Sequence, residues 1–208
     1  TVRLPVDFAQ LQAEAPDMYA WLELPDTGID DPVLQRAGAD LFYNSHNAYG
    51  QYYMCGAVFS PSAYNGRNFD SPMTVLYGHS TVLGQPGAFM ELNNYADEAY
   101  FDAHREMRVY MPDGMYGYRI FAACVHSNEH LLYCHDFSDE TQFDAFFSSL
   151  TEDTSPDSHI DAEALPQAGD KVLTLSTCYS ANKNLRYLVM GVLEEFVPTA
   201  EAAGREAA

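Results

Sequence analysis

From Ile29 onward the chain breaks into short apolar runs, at 33–34, 52–54, 57–59, 74–77, 107–111 and 118–125, each bounded by Gly, Asn, Asp or Pro. Runs of this length, rich in Val, Tyr and Phe and punctuated by turn formers, read as β-strands. Many short strands bury their apolar faces by closing or stacking a sheet, so the expected fold is mostly β, a barrel or sandwich spanning 29–197. Two stretches depart from that rhythm. In the N-terminal segment 1–28, Phe8, Leu11, Ala15, Met18, Tyr19 and Leu22 fall near helical spacing, with Pro16 interrupting, which predicts two short helices packed on the barrel. Phe143, Phe146, Phe147 and Leu150 recur at i, i+3, i+4 and i+7, which predicts a helix over 139–150 capped by Ser138, its aromatic face against the sheet. Residues 151–170 are polar, carry two prolines and one glycine, and read as a long loop. The tail 198–208 is small and polar and is expected to fray.

At 208 residues, 47% hydrophobic and 13% aromatic, the chain suits one domain with a single core. Ten basic against thirty acidic residues give a net charge of −20, which repels phosphate backbones and anionic headgroups and argues against nucleic-acid binding. No stretch approaches the ~18 apolar residues of a membrane span, and no charged-then-apolar signal segment opens the chain, so it is expected to be soluble as it stands. Beginning at Thr1 rather than Met, it reads as a fragment. Cys55, Cys124, Cys134 and Cys178 form no C-x-x-C pair and no dense disulfide framework. The first three read as buried small apolar residues, with a single bridge among them left open.

The chemistry concentrates at the end of the run Val172-Leu173-Thr174-Leu175-Ser176-Thr177-Cys178. Alternation puts Val172, Thr174, Ser176 and Cys178 on one face, with the thiol at the strand terminus where a groove can reach it. A cysteine is a strong nucleophile as its thiolate and needs an acid/base partner and a donor for the developing oxyanion. His79, after Tyr77-Gly78, and Arg186, eight residues beyond the cysteine, fit those roles. In a second strand pattern over 185–193, Arg186 shares a face with Leu188, Met190 and Val192, so its charge must project from the strand's end. The plainer readings are a buried strand cysteine, a turn histidine and a surface ion pair.

A competing constellation, His126, His130, Cys134 and His135, has spacing reminiscent of zinc ligands. A strand running into a loop points such side chains apart, so no metal is expected. Asp30 with Asp31, and Asp97 with Glu98, lack the oxygen-rich loop calcium prefers and read as surface carboxylates. Thiol acyl transfer uses side chains alone, so no cofactor is demanded.

At these residues the chain resembles the sortases, cell-surface cysteine transpeptidases of Gram-positive bacteria. Thr174-Leu175-Ser176-Thr177-Cys178, Tyr77-Gly78-His79 and Arg186 are similar to the family's Thr-Leu-x-Thr-Cys strand end, its Gly-His strand end and its following-strand Arg, in the same order. Trp21-Leu22-Glu23-Leu24-Pro25, Ile29-Asp30-Asp31-Pro32-Val33-Leu34-Gln35, Phe42-Tyr43, Asn47, Gly50 and Gly56-Ala57-Val58-Phe59 give it a class B character. Ser80 departs from the pattern, where Asn or a second His is expected. The resemblance covers roughly residues 10 to 195.

It implies a closed sortase-type β-barrel and catalysis by His79, Cys178 and Arg186, with Ser176 and Thr177 touching substrate, although β propensity also accounts for those two. It implies donors that carry a C-terminal sorting motif of the Asn-Pro-x-Thr-Asn or Leu-Pro-x-Thr-Gly type, cleaved after Thr. The acceptor would be a peptidoglycan-precursor amine or a pilin lysine. It further implies a place on the outer face of the cell membrane, held by an N-terminal anchor outside this sequence. Two rivals stand beside it. An L,D-transpeptidase would want Ser-x-Gly-Cys where this chain has Leu175-Ser176-Thr177-Cys178, and a non-catalytic surface barrel would not need the three residues together.

Overall fold

The computed structural model describes residues 1–206. Its strands are β1 (Met18–Glu23), β2 (Asp30–Leu34), β3 (Val58–Phe59), β4 (Met73–Tyr77), β5 (Thr81–Val82), β6 (Gln85–Pro86), β7 (Glu106–Met111), β8 (Gly114–His126), β9 (His159–Ile160), β10 (Val172–Cys178) and β11 (Arg186–Pro198). The α-helices are α1 (Phe8–Glu14), α2 (Glu98–Ala103), α3 (Leu131–Cys134), α4 (Glu140–Ser149) and α5 (Ala200–Glu206). The main sheet runs β11-β10-β4-β3-β2-β1-β7-β8, with β9 on the edge of β8, and pairing of β11 with β8 closes it into an eight-stranded barrel. β5 and β6 form a separate hairpin. The barrel expected from the sequence is therefore present.

Alternation divides the core. Leu173, Leu175, Leu76, Tyr187 and Val189 point into the barrel, while Val172, Met73, Val75, Leu188 and Met190 point outward. The outward set is covered by α4 and the turn that follows it: Phe143, Phe146 and Phe147 of the helix and Leu150 just beyond it are buried against the sheet. Each such burial contributes roughly 1.5–3 kcal/mol. α4 thus has the register expected of it, but its cap is Asp139, which accepts from the Gln142 N–H at 3.0 Å, rather than Ser138, whose own N–H is turned to Asp136.

Four expectations are corrected. One N-terminal helix forms, not two: α1 ends before Pro16, and Met18, Tyr19, Ala20 and Leu22 belong to β1, between β2 and β7. β1 is buried on both faces, so apolar residues occur at nearly every position and mimic helical spacing. Residues 1–28 are therefore not a helical appendage but supply a barrel strand. The run 52–54 is no strand; Tyr52 and Tyr53 are exposed in a loop held by one bridge to His46. The loop 151–170 contains β9. The tail carries a helix: Val2 donates to Pro198 O at 2.9 Å and α5 follows, with 207–208 outside the described residues.

β3 is so short that it covers β4 only at Phe59 opposite Tyr77. A side chain completes that edge: Asn65 donates to Met73 O at 2.9 Å and accepts from Val75 N–H at 3.1 Å, as a neighbouring strand would. Gln35 donates to Asn65 O at 2.8 Å and to the Ser60 hydroxyl, which also bonds Tyr19 OH. Asn65→Ala leaves a buried N–H and C=O unpaired and is expected to cost about 2–4 kcal/mol, read by chemical denaturation against the unmodified protein.

Candidate active site

Cys178 ends β10 and Arg186 begins β11, and the antiparallel register makes them direct partners. The Arg186 Nη1 lies 3.8 Å from the Cys178 sulfur. The guanidinium also donates to Leu185 O at 3.3 Å, which holds the fork over the strand ends. On the other side of β10, parallel β4 pairs Tyr77 with Ser176, the Gly78 N–H reaches Ser176 O at 3.3 Å, and the chain then delivers His79 into the cleft that Cys178 and Arg186 line. The three residues singled out in the sequence therefore share one cleft of about 460 Å³ on the barrel's outer face.

Glycines permit that delivery. A Cβ on Gly78 would meet the Phe89 ring at 2.8 Å, and one on Gly87, in the turn after the β5–β6 hairpin, would meet His79 O at 2.2 Å. The His79 Nε2 lies 2.9 Å from Asn44 O. A carbonyl only accepts, so Nε2 carries the proton of that bond and Nδ1 is left to exchange a proton with a ligand. Thr177 is buried and donates to Gly78 O at 2.8 Å, tying the cysteine strand to the histidine strand. Ser176 is buried on the cleft floor. Ser80 is buried too, its carbonyl accepting from the Gly87 N–H at 2.8 Å.

Several residues that line or brace the cleft carried no legible signal. Asn44 acts through its backbone. Asn93 donates to Cys178 O at 3.3 Å and accepts from the Ser180 N–H at 2.8 Å, fixing the turn after the cysteine. Asp40 accepts from the Ser62 N–H at 2.7 Å and from its hydroxyl at 2.6 Å, joining two loops of one wall. Tyr77 forms part of the floor, and burial pushes its phenol up to about 12, with Arg186 pulling it partly back.

The rival ligand constellation is dispersed. His126 is the register partner of Arg186, and the His126 and His135 Nε2 atoms lie 3.8 and 3.1 Å from one Glu129 oxygen. His130 packs on Tyr64 and Tyr77, and Cys134 is exposed on α3, which corrects its expected burial. Among the described residues no three His, Cys, Asp or Glu side chains are grouped to hold a metal ion.

A barrel with a thiol and a guanidinium at adjoining strand ends, and an imidazole in the same cleft, defines a class, the cysteine acyl-transferases. The family model of the sortase domain matches residues 22–194. Sortase B of Listeria monocytogenes is 27% identical over 172 residues, 83% of this chain and 67% of that protein. Among solved structures, Clostridium perfringens sortase B superposes with a TM-score of 0.73 at 23% identity, covering 91% of this chain and 100% of that one. A Streptococcus pyogenes class B sortase involved in pilus biogenesis gives 0.73 at 26% identity, covering 91% and 98%. The chain belongs to the sortase family, on the class B side, and is a cysteine transpeptidase.

The four thiols are free and differ in access: Cys55 and Cys124 are 2% and 1% exposed, Cys178 is half-buried and Cys134 exposed. Burial also pushes the Cys124 thiol up to about 12. Native maleimide labelling followed by peptide mapping is expected to modify Cys134 and Cys178 and to reach Cys55 and Cys124 only after unfolding. Protection of Cys178 in the native protein would contradict an accessible nucleophile.

Proposed function

We propose that Cys178 is the nucleophile, His79 the acid/base and Arg186 the oxyanion donor of a transpeptidase that cleaves a C-terminal sorting motif after Thr. The observation that carries this reading is the Cys178–Arg186 register contact, with His79 delivered to the same cleft. The thiolate attacks the Thr carbonyl carbon, and negative charge gathers on the carbonyl oxygen beside the guanidinium, which stays charged and offers several N–H groups. Collapse breaks the C–N bond, and His79 gives its proton to the departing amine, leaving a thioester on Cys178. An incoming amine loses a proton to His79, attacks the thioester, forms the new amide and releases the thiolate.

The donors are surface proteins with an Asn-Pro-x-Thr-Asn or Leu-Pro-x-Thr-Gly type motif. The acceptor is a peptidoglycan-precursor amine or, as the pilus-related S. pyogenes relative suggests, a pilin lysine. Such work belongs on the outer face of the cell membrane. In this reading Ser176, on the cleft floor, contacts substrate, while Thr177 acts through its bond to Gly78 O.

Mass spectrometry of the protein with a panel of sorting-motif peptides and hydroxylamine is expected to show the hydroxamate after Thr, and no product with Cys178→Ala. No cleavage of any peptide would move the reading to a binding barrel. Arg186→Lys keeps the charge but loses the fork, so transfer should fall by about 10²-fold while denaturation midpoints stay within error. Full activity in that variant would sink the role given to Arg186.

A further inference from the structure

Asp31 occupies an inward-facing position of the barrel wall. Near the start of β2 it shares a strand face with Val33, and its register partner on β1 is Leu22; both are fully buried in the barrel interior. The residue that the sequence suggests is a surface carboxylate is therefore half-buried, and burial pushes its carboxyl up to about 6. Removing a carboxylate from water is unfavourable unless a cation or good donors meet it. Asp31 lines a cavity of about 450 Å³, and among the described residues no Lys, Arg or His lines it too.

This cavity shares no lining residue with the cleft of Cys178. Ala57, Val58, Pro86 and Met90 supply apolar wall. Its other carboxylate, Glu91, accepts from the Gly28 N–H at 3.0 Å, and its one carboxamide, Asn47, accepts from the Gln51 N–H at 3.0 Å. Gly56 and Gly87 form the wall nearest His79. A Cβ on Gly87 would lie 2.2 Å from His79 O, and one on Gly56 would lie 2.8 Å from Asn44 O, the atom bonded to His79 Nε2. One layer of backbone thus separates the cavity from the histidine.

We infer that this cavity is a second ligand site, for a primary alkylammonium group such as the lysine side chain of a peptide, seated behind His79 and apart from the cleft. The ammonium meets Asp31, and the alkyl stem lies along Ala57, Val58 and Met90, as long cationic side chains do on apolar surface. The volume suits a group of that size. Calcium or magnesium fits poorly, because those ions want about six or more oxygens and one of the two carboxylates here is already engaged. The site goes beyond the transpeptidase reading and does not depend on it, since none of Cys178, His79 and Arg186 lines the cavity.

The test is a titration of the protein followed by backbone-amide NMR at neutral pH and about 0.15 M salt, which screens diffuse attraction to the acidic surface. The two probes are Nα-acetyl-lysine methylamide and its uncharged analogue Nα-acetyl-norleucine methylamide. The lysine compound is expected to shift the amides of 31, 57–58 and 87–91 saturably, and the norleucine compound to bind at least about tenfold more weakly. Asp31→Asn keeps the side-chain shape and removes one of twenty net charges, so diffuse attraction is nearly unchanged. It should weaken lysine binding by about tenfold or more, with the spectrum of the variant reporting that it is folded. Cys178→Ala should bind as the unmodified protein does. Equal affinity for the two probes, undiminished binding by folded Asp31→Asn, or shifts centred on 79, 178 and 186 would overturn the inference. Peptide cleavage decides the transpeptidase reading separately.

Discussion

The candidate active cleft depends on the hydrogen-bond ladder of β10. Its antiparallel edge sets Cys178 opposite Arg186, and its parallel edge sets Ser176 opposite Tyr77, from which the chain continues to His79. Because strand side chains alternate, a slip of one residue on either edge would turn a partner of the cysteine toward the barrel interior. Burial guards the register. Leu173 and Leu175 are fully enclosed on one face, and Val172 is covered by the α4 cluster on the other. Closure of β11 on β8 then leaves the cysteine strand no free edge along which to shift.

The walls of the cleft are held by side chains that substitute for backbone. Asn65 completes the edge of β4 where β3 is too short, Asp40 binds two loops together, and Asn93 secures the turn after Cys178. Each places two or more strong hydrogen bonds where regular pairing stops. Loops anchored in this way keep Asn44, Tyr64 and His79 in place without belonging to the sheet.

Much of the fold and site was legible because it rests on local periodicity and a short motif. The aromatic spacing of α4 and the alternation of β10 and β11 reappear as buried faces. Where the reading failed, burial from both sides or a tertiary partner was responsible. β1 imitates a helix because it is covered on both faces, and 52–54 imitates a strand although no neighbour pairs with it beyond one bridge. Asp139 rather than Ser138 is the cap because the helix starts at Glu140, which makes Asp139 the residue before its first turn. Cys134 looked apolar by residue type, but α3 faces it outward.

The sequence by itself determined that the chain is a strand-rich barrel with one aromatic helix and that Cys178, His79 and Arg186 are its reactive candidates, since side-chain alternation and a strand-end motif are properties of neighbouring residues. Only the tertiary structure decided that the three share a cleft, that Asn44 orients the histidine and that His130 packs on Tyr64. Those relations join residues far apart in the chain, through backbone carbonyls and ring contacts that leave no local pattern, and they exist only once the barrel has closed.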